Sequence, residues 1–154
     1  MKVKKTFAFI GIAGLLLAVF VSCGNGTTSD TITEGSIQGV WEVKKGDGKT
    51  YPINPEDEET APDAKEWLYF CFDKGTLIIA KRITGMPNSS ENGLFRSKPG
   101  TYEILAGNSI KMTYENWSTI VPFTLNGDTL IAPALEARRT GSPTVQEIRD
   151  AQDG

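Results

Sequence analysis

The 154-residue chain has no histidine, two cysteines and a formal net charge of -3. The commonest general base and the commonest metal ligand are therefore missing from its chemistry. Cys71 lies between Phe70 and Phe72 on an apolar, β-prone stretch. Nothing nearby in sequence would lower its pKa, and it reads as a small buried hydrophobe rather than a nucleophile. The acidic run Glu56-Asp57-Glu58-Glu59, with Asp63 behind it, lacks the Asp-x-Asn-x-Asp-Gly spacing of a calcium loop and reads as a solvated loop. Gly46-Asp47-Gly48-Lys49 lacks the spacing of a phosphate-binding loop and is followed by no clear helix, so it is a turn. These residues imply no catalytic set, no metal site and no cofactor, and the expectation is a protein that is not an enzyme.

Cys23 stands in a different setting. Lys2, Lys4 and Lys5 precede an uncharged apolar run of 15 residues from Phe7 to Val21, then the small residue Ser22, then the cysteine. That is the order of a secretory signal peptide, and the run is shorter than the roughly 20 residues a membrane-spanning helix needs. The segment Phe20-Val21-Ser22-Cys23-Gly24 resembles a bacterial lipobox, with Phe20 in place of the usual leucine. The resemblance implies that residues 1–22 are a lipoprotein signal peptide and that Cys23 carries a diacylglycerol thioether with palmitate-type acyl chains. The chain would then be held on the outer side of a bacterial membrane, in the cell envelope, inner or outer membrane being left open. Several acyl chains on one residue anchor stably where a single chain binds reversibly.

Removal of residues 1–22 leaves 132 residues, one ordinary domain, and takes three lysines away, moving the net charge to -6. So acidic a domain is a poor partner for nucleic acid. With Cys23 acylated, Cys71 is alone and no intramolecular disulfide can form. Gly24 to Ser36 is a run of Gly, Asn, Thr and Ser with Ile32 as its one aliphatic residue of size. Residues 23–36 therefore read as a flexible tether.

Any binding surface must be built by the chain beyond the tether, a series of short β-prone segments between turn signals. Strands are expected over Val40 to Lys45, Glu66 to Phe72, Thr76 to Ile83, Thr101 to Leu105, Ile110 to Tyr114, Ser118 to Leu125 and Thr129 to Ala134. Leu135 to Thr140 extends the last or forms an eighth. Long loops are expected at Gly46 to Lys65 and Thr84 to Pro99, and Asn126-Gly127-Asp128 is a strong hairpin signal. A meander of this length hides its edges completely by closing on itself. The expected fold is all-β, a small antiparallel up-and-down barrel of 7–8 strands over 37–140, with a polar C-terminal tail over 141–154.

Gly39-Val40-Trp41 on the first strand resembles the Gly-x-Trp signature of lipocalins and of small bacterial lipocalin-like lipoproteins. In that family the tryptophan closes one end of the barrel against a basic residue from the last strand, a place that Arg138 and Arg139 suit. The resemblance implies an interior that could hold a small apolar ligand or lipid. Trp41, Phe70, Phe72, Tyr102, Met112 and Phe123 are the candidate binding residues, with Val43, Leu68, Ile104, Ile110, Val121 and Leu130 on the same inward faces. An eight-stranded barrel lies near the boundary between a filled interior and one with room for a ligand. The alternative is therefore a packed barrel that acts as an envelope interaction module through its loops, with another envelope protein as partner.

Overall fold

Period-two alternation sets which side of each strand is buried. In β1 (Gly39–Gly46) Trp41 and Val43 point inward, and in β3 (Lys65–Asp73) Leu68, Phe70 and Phe72 do the same. The structure, a computed structural model, describes residues 30–55 and 60–154. The expected signal peptide 1–22, Cys23 and the acidic run 56–59 lie outside the described residues. The remaining strands are β2 (Lys49–Thr50), β4 (Thr76–Thr84), β5 (Gly93–Arg96), β6 (Gly100–Leu105), β7 (Ser109–Tyr114), β8 (Trp117–Pro122), β9 (Thr124–Asn126), β10 (Thr129–Ala132), β11 (Leu135–Thr140) and β12 (Gln152–Asp153). Two short helices, α1 (Glu34–Ile37) and α2 (Val145–Arg149), flank the strand region.

The strands form one sheet in the order β8-β7-β6-β4-β3-β1-β11-β10-β9, antiparallel throughout this path. Its two end strands, β8 and β9, are consecutive in the chain with only Phe123 between them. The sheet thus comes back on itself as a nearly closed antiparallel barrel, the all-β fold expected. Among the described residues there are twelve strand segments, more than the seven or eight expected. The stretch Ser118 to Leu125 bends at Pro122-Phe123, so its first half pairs with β7 and its second half with β10. Part of the expected loop Thr84 to Pro99 is strand: β4 runs on to Thr84 and its far half pairs with β5. β2 and β12 are two-residue additions at the rim.

β3 reads as a continuous apolar run because both of its faces are covered. Inward, Leu68, Phe70 and Phe72 join a single core with all twelve side chains expected on the inner faces, Ile104 only partly buried. Outward, Tyr69 and Cys71 pack with Val40, Ile78, Ala80 and Ile148 of α2 in a second cluster. The C-terminal stretch from Gly141, polar in composition, is therefore laid against the outside of the barrel. Thr144 caps α2: its hydroxyl accepts from the Glu147 amide at 3.2 Å and the Glu147 carboxylate accepts from the Thr144 amide at 2.7 Å. An ion pair between Arg149 and Asp73 fastens the helix to the end of β3.

Residues 30–36 of the expected tether belong to the fold. Ile32 is buried, and the Asn108 side chain acts as a substitute strand for it, accepting from the Ile32 amide and donating to the Asp30 carbonyl, both at 3.0 Å. The Asp30 amide donates to the Leu125 carbonyl at 2.9 Å. Thr33 and Ser36 then form a reciprocal cap for α1, which ends in the fully buried Ile37. One aliphatic residue in a polar run is a weak signal in one dimension, and it becomes an anchor because the barrel end offers it an apolar socket.

Candidate functional site

The two ends of the barrel differ. At the closed end the turns after β6 and β9 hold the start of the segment 30–38, Asn108 bonding to Asp30 and Ile32 and the Gly127 amide donating to the Asp30 carboxylate. Trp41 is fully buried there, its indole Nε1 donating to the Ile37 carbonyl at 2.7 Å. Arg139, its register partner on β11, lays its guanidinium 4.3 Å from the centre of the indole ring. The same guanidinium donates from Nη1 to the Gln38 carbonyl and from Nη2 to the Ser36 carbonyl, each at 2.5 Å, and from Nε to Asp128 at 3.0 Å. Gly39 is required by this arrangement. Its φ is +113°, and a Cβ there would stand 3.2 Å from Arg139 Nη1. Tyr102 is also committed to this end, donating to the Glu34 carboxylate at 2.5 Å and packing edge-on against Phe72. Burial, then the bond to the Glu34 carboxylate, raise the Tyr102 pKa above its ordinary value, so its hydroxyl stays a donor.

The other end is open. A cavity of about 70 Å³ lies there, with Leu68, Phe70, Phe72, Met112, Val121 and Phe123 as its floor and Tyr51 and Leu135 at its mouth. Gly46-Asp47 and Pro133-Ala134, the tips of two neighbouring hairpins, form the rim. Drug-sized ligands sit in pockets of roughly 300–1,000 Å³. The space here is a fraction of that, enough for a few non-hydrogen atoms. Its lining is almost wholly apolar, and Asp47 is the one carboxylate among the described residues that line it. Burial, followed by the charges of Glu66 and Asp47, raises the Tyr51 pKa and keeps that phenol neutral.

Of the six candidate binding residues, Phe70, Phe72, Met112 and Phe123 face this cavity. Trp41 and Tyr102 do not line it; their polar atoms are taken up by Ile37 and Glu34 at the closed end. Tyr51, Ala132 and Leu135 line the cavity without having been marked in sequence. Tyr51 follows β2 in a stretch that reads as loop, where no periodic pattern reveals an inward side chain. Among the described residues no three His, Cys, Asp or Glu side chains converge on a metal geometry.

Cys71 is buried on the outer face of β3 beneath α2. Loss of solvent raises its thiol from the ordinary 9.0 to about 11, with the Arg149 charge pulling weakly the other way. Native protein is expected to resist a thiol-specific disulfide reagent at pH 8 and to react fully in denaturant. Labelling of the native state at the rate of a free thiol would show that α2 does not hold its place. The sign of the accompanying pH effect follows from linkage: the unfolded thiol releases its proton at lower pH than the folded one. This contribution to stability is therefore whole at neutral pH and declines as pH rises through the interval up to about 11.

Comparison of the chain with protein-family models, with curated proteins and with solved structures finds no match to any of the three.

Proposed function

We propose that the protein is a lipid-anchored lipoprotein of the bacterial cell envelope whose lipocalin-like barrel is a packed interaction module, presenting its open end to another envelope protein. The filled interior carries this reading. The cavity at its open end holds about 70 Å³, too little to enclose a lipid or a metabolite, and the side chains of the core pack together beneath it. A lipocalin-like membership accords with the Gly-x-Trp geometry, in which a cation from the last strand lies over the indole.

The chain path supports a defined orientation. Asp30, the first described residue, pairs with Leu125 at the closed end of the barrel. From Cys23 to Asp30 there are seven peptide steps, a reach of at most roughly 25 Å. An acylated Cys23 would hold the closed end near the membrane and turn the open end, with its loops and cavity, away from it. Function by binding, with no reaction step, is consistent with a site lined by apolar side chains.

A second reading, that the cavity takes the apolar end of a small ligand, is favoured by its lining of Phe70, Phe72, Met112 and Phe123. Titration of the acyl-free protein with fatty acids of graded length separates the two. The packed module predicts no thermal shift and no change in tryptophan emission. A saturable stabilisation that grows with chain length would overturn it, since binding at 100 times Kd stabilises by about 2.7 kcal/mol.

A further inference from the structure

We propose that the free edge of β8 is a docking site for an extended peptide segment of the partner protein, which adds a strand beside Ser118 and Ile120 and sets an apolar side chain in the mouth of the cavity. This rests on the reading of the barrel as an interaction module and names the chemistry of its partner.

Strand edges in soluble proteins are kept short, charged or covered, because unpaired backbone groups recruit other chains. Three of the four strands that end this sheet obey that rule. β2 and β12 have two residues each and carry Lys49 and Asp153, and the edge of β9 is met by Asp30. β8 is different. It has six residues, and its outward side chains are Ser118, Ile120 and Pro122. Ile120 is 56% exposed, the more open of the two large apolar side chains at the surface among the described residues. β8 itself carries no charged side chain, and Lys111 stands across from Ile120 on β7.

Its backbone also has no strand partner on the outer side among the described residues. The Phe123 amide donates to the Asn108 carbonyl at 2.8 Å, and β8 is joined to β7 by the two-residue turn between Tyr114 and Trp117. Antiparallel pairing alternates, so Trp117, Thr119 and Val121 turn their amides and carbonyls toward β7, while those of Ser118 and Ile120 point to the other side. Among the described residues no strand pairs with β8 there. The gap arises because β9 pairs with β10 only as far as Thr124 and Ile131, and the chain turns into β11 at Pro133-Ala134. β8 runs on past this short hairpin, leaving a notch.

The notch opens onto the cavity. Val121 and Phe123 line it on one side, and Pro133 to Leu135 on the other. Side chains of a strand laid along β8 would alternate between the cavity mouth and the surface beside Ile120. Main-chain bonds would then give affinity, and one small apolar pocket would give specificity. A second copy of this chain fits less well. In a β8-to-β8 pairing the inward side chains of each strand stay inside their own barrel, and the cavity remains unfilled.

The test uses the full lipidated protein in detergent micelles, with exchange of the Ser118 and Ile120 amides followed by NMR. In the free protein both are expected to exchange fast. The peptide acetyl-TLTLT-amide, whose leucines share one face, is expected to slow both by roughly tenfold or more, as a newly formed edge hydrogen bond does. Its fully N-methylated analogue should have no effect, and Ile120→Lys should remove the protection while the thermal transition is kept. The proposal is overturned if the two amides are already protected in the free monomer, if the methylated peptide protects equally, or if protection appears with protein concentration alone, which would mean a second copy occupies the edge. Fatty-acid binding, the outcome that defeats the packed-module reading, is read separately and leaves these amides unprotected.

Discussion

Arg139→Leu is expected to lower the unfolding free energy by about 3 kcal/mol. The guanidinium is about one-third exposed, so its pairing with the fully open Asp128 adds little. Its weight lies in the two carbonyls of Ser36 and Gln38, which lose their charged donor together, and in the cation over Trp41. A charge-assisted bond contributes about 1.5–3 kcal/mol where it is shielded, and the cation–π contact about 1 kcal/mol more. Arg139→Lys should recover only a minor part. A single ammonium cannot serve two carbonyls in a fixed fork and cover the indole at once. Denaturant midpoints of the three proteins measure this, and equal midpoints for the arginine and lysine forms would show that charge alone is what matters at this position.

The second large effect concerns Cys23. Cys23→Ser is expected to abolish incorporation of labelled fatty acid and to leave an unprocessed precursor in the membrane fraction. Continued lipidation of the serine variant would refute the anchoring. The barrel itself should be indifferent. Among the described residues its core is built from Ile32 onward. Variant and parent are thus expected to share one thermal transition, which distinguishes a lost anchor from a lost fold. If instead the variant unfolds at a lower temperature, residues before Asp30 contribute to the fold as well as to its attachment.

The closed end also explains why a three-residue motif is so constrained. Gly39 needs a positive φ to let the chain turn from α1 into β1, and Trp41 fills the end of the core while its one polar atom finds the Ile37 carbonyl. The motif, the helix before it and the arginine from the last strand form one unit. Each part leaves a buried donor or acceptor without a partner if another is removed.

Much of this was legible in the sequence. The β-rich meander, the hairpin at Asn126-Gly127-Asp128 and the inward set from Trp41 to Leu130 all follow from period two and turn chemistry, which act over a few residues. The arginine over Trp41 was anticipated only through the family likeness. Contributions made across long separations were not legible. The covering of Cys71 by α2 joins residues more than 70 positions apart, and although Thr144-x-x-Glu147 signals a helix start, nothing local tells where that helix lies. The burial of Ile32 depends in the same way on Asn108.

Reading residues in order was enough to identify an all-β chain, and to raise the expectation of a secretory leader that ends at a cysteine placed for lipid. Those are properties of composition, of alternation and of neighbours in the chain. How much space the barrel holds, which end is shut and which strand edge is left open emerged only once the chain was folded. These depend on how the buried side chains of nine strands share one volume and on where the chain bends between β8 and β9, and both are set by the closing of the sheet.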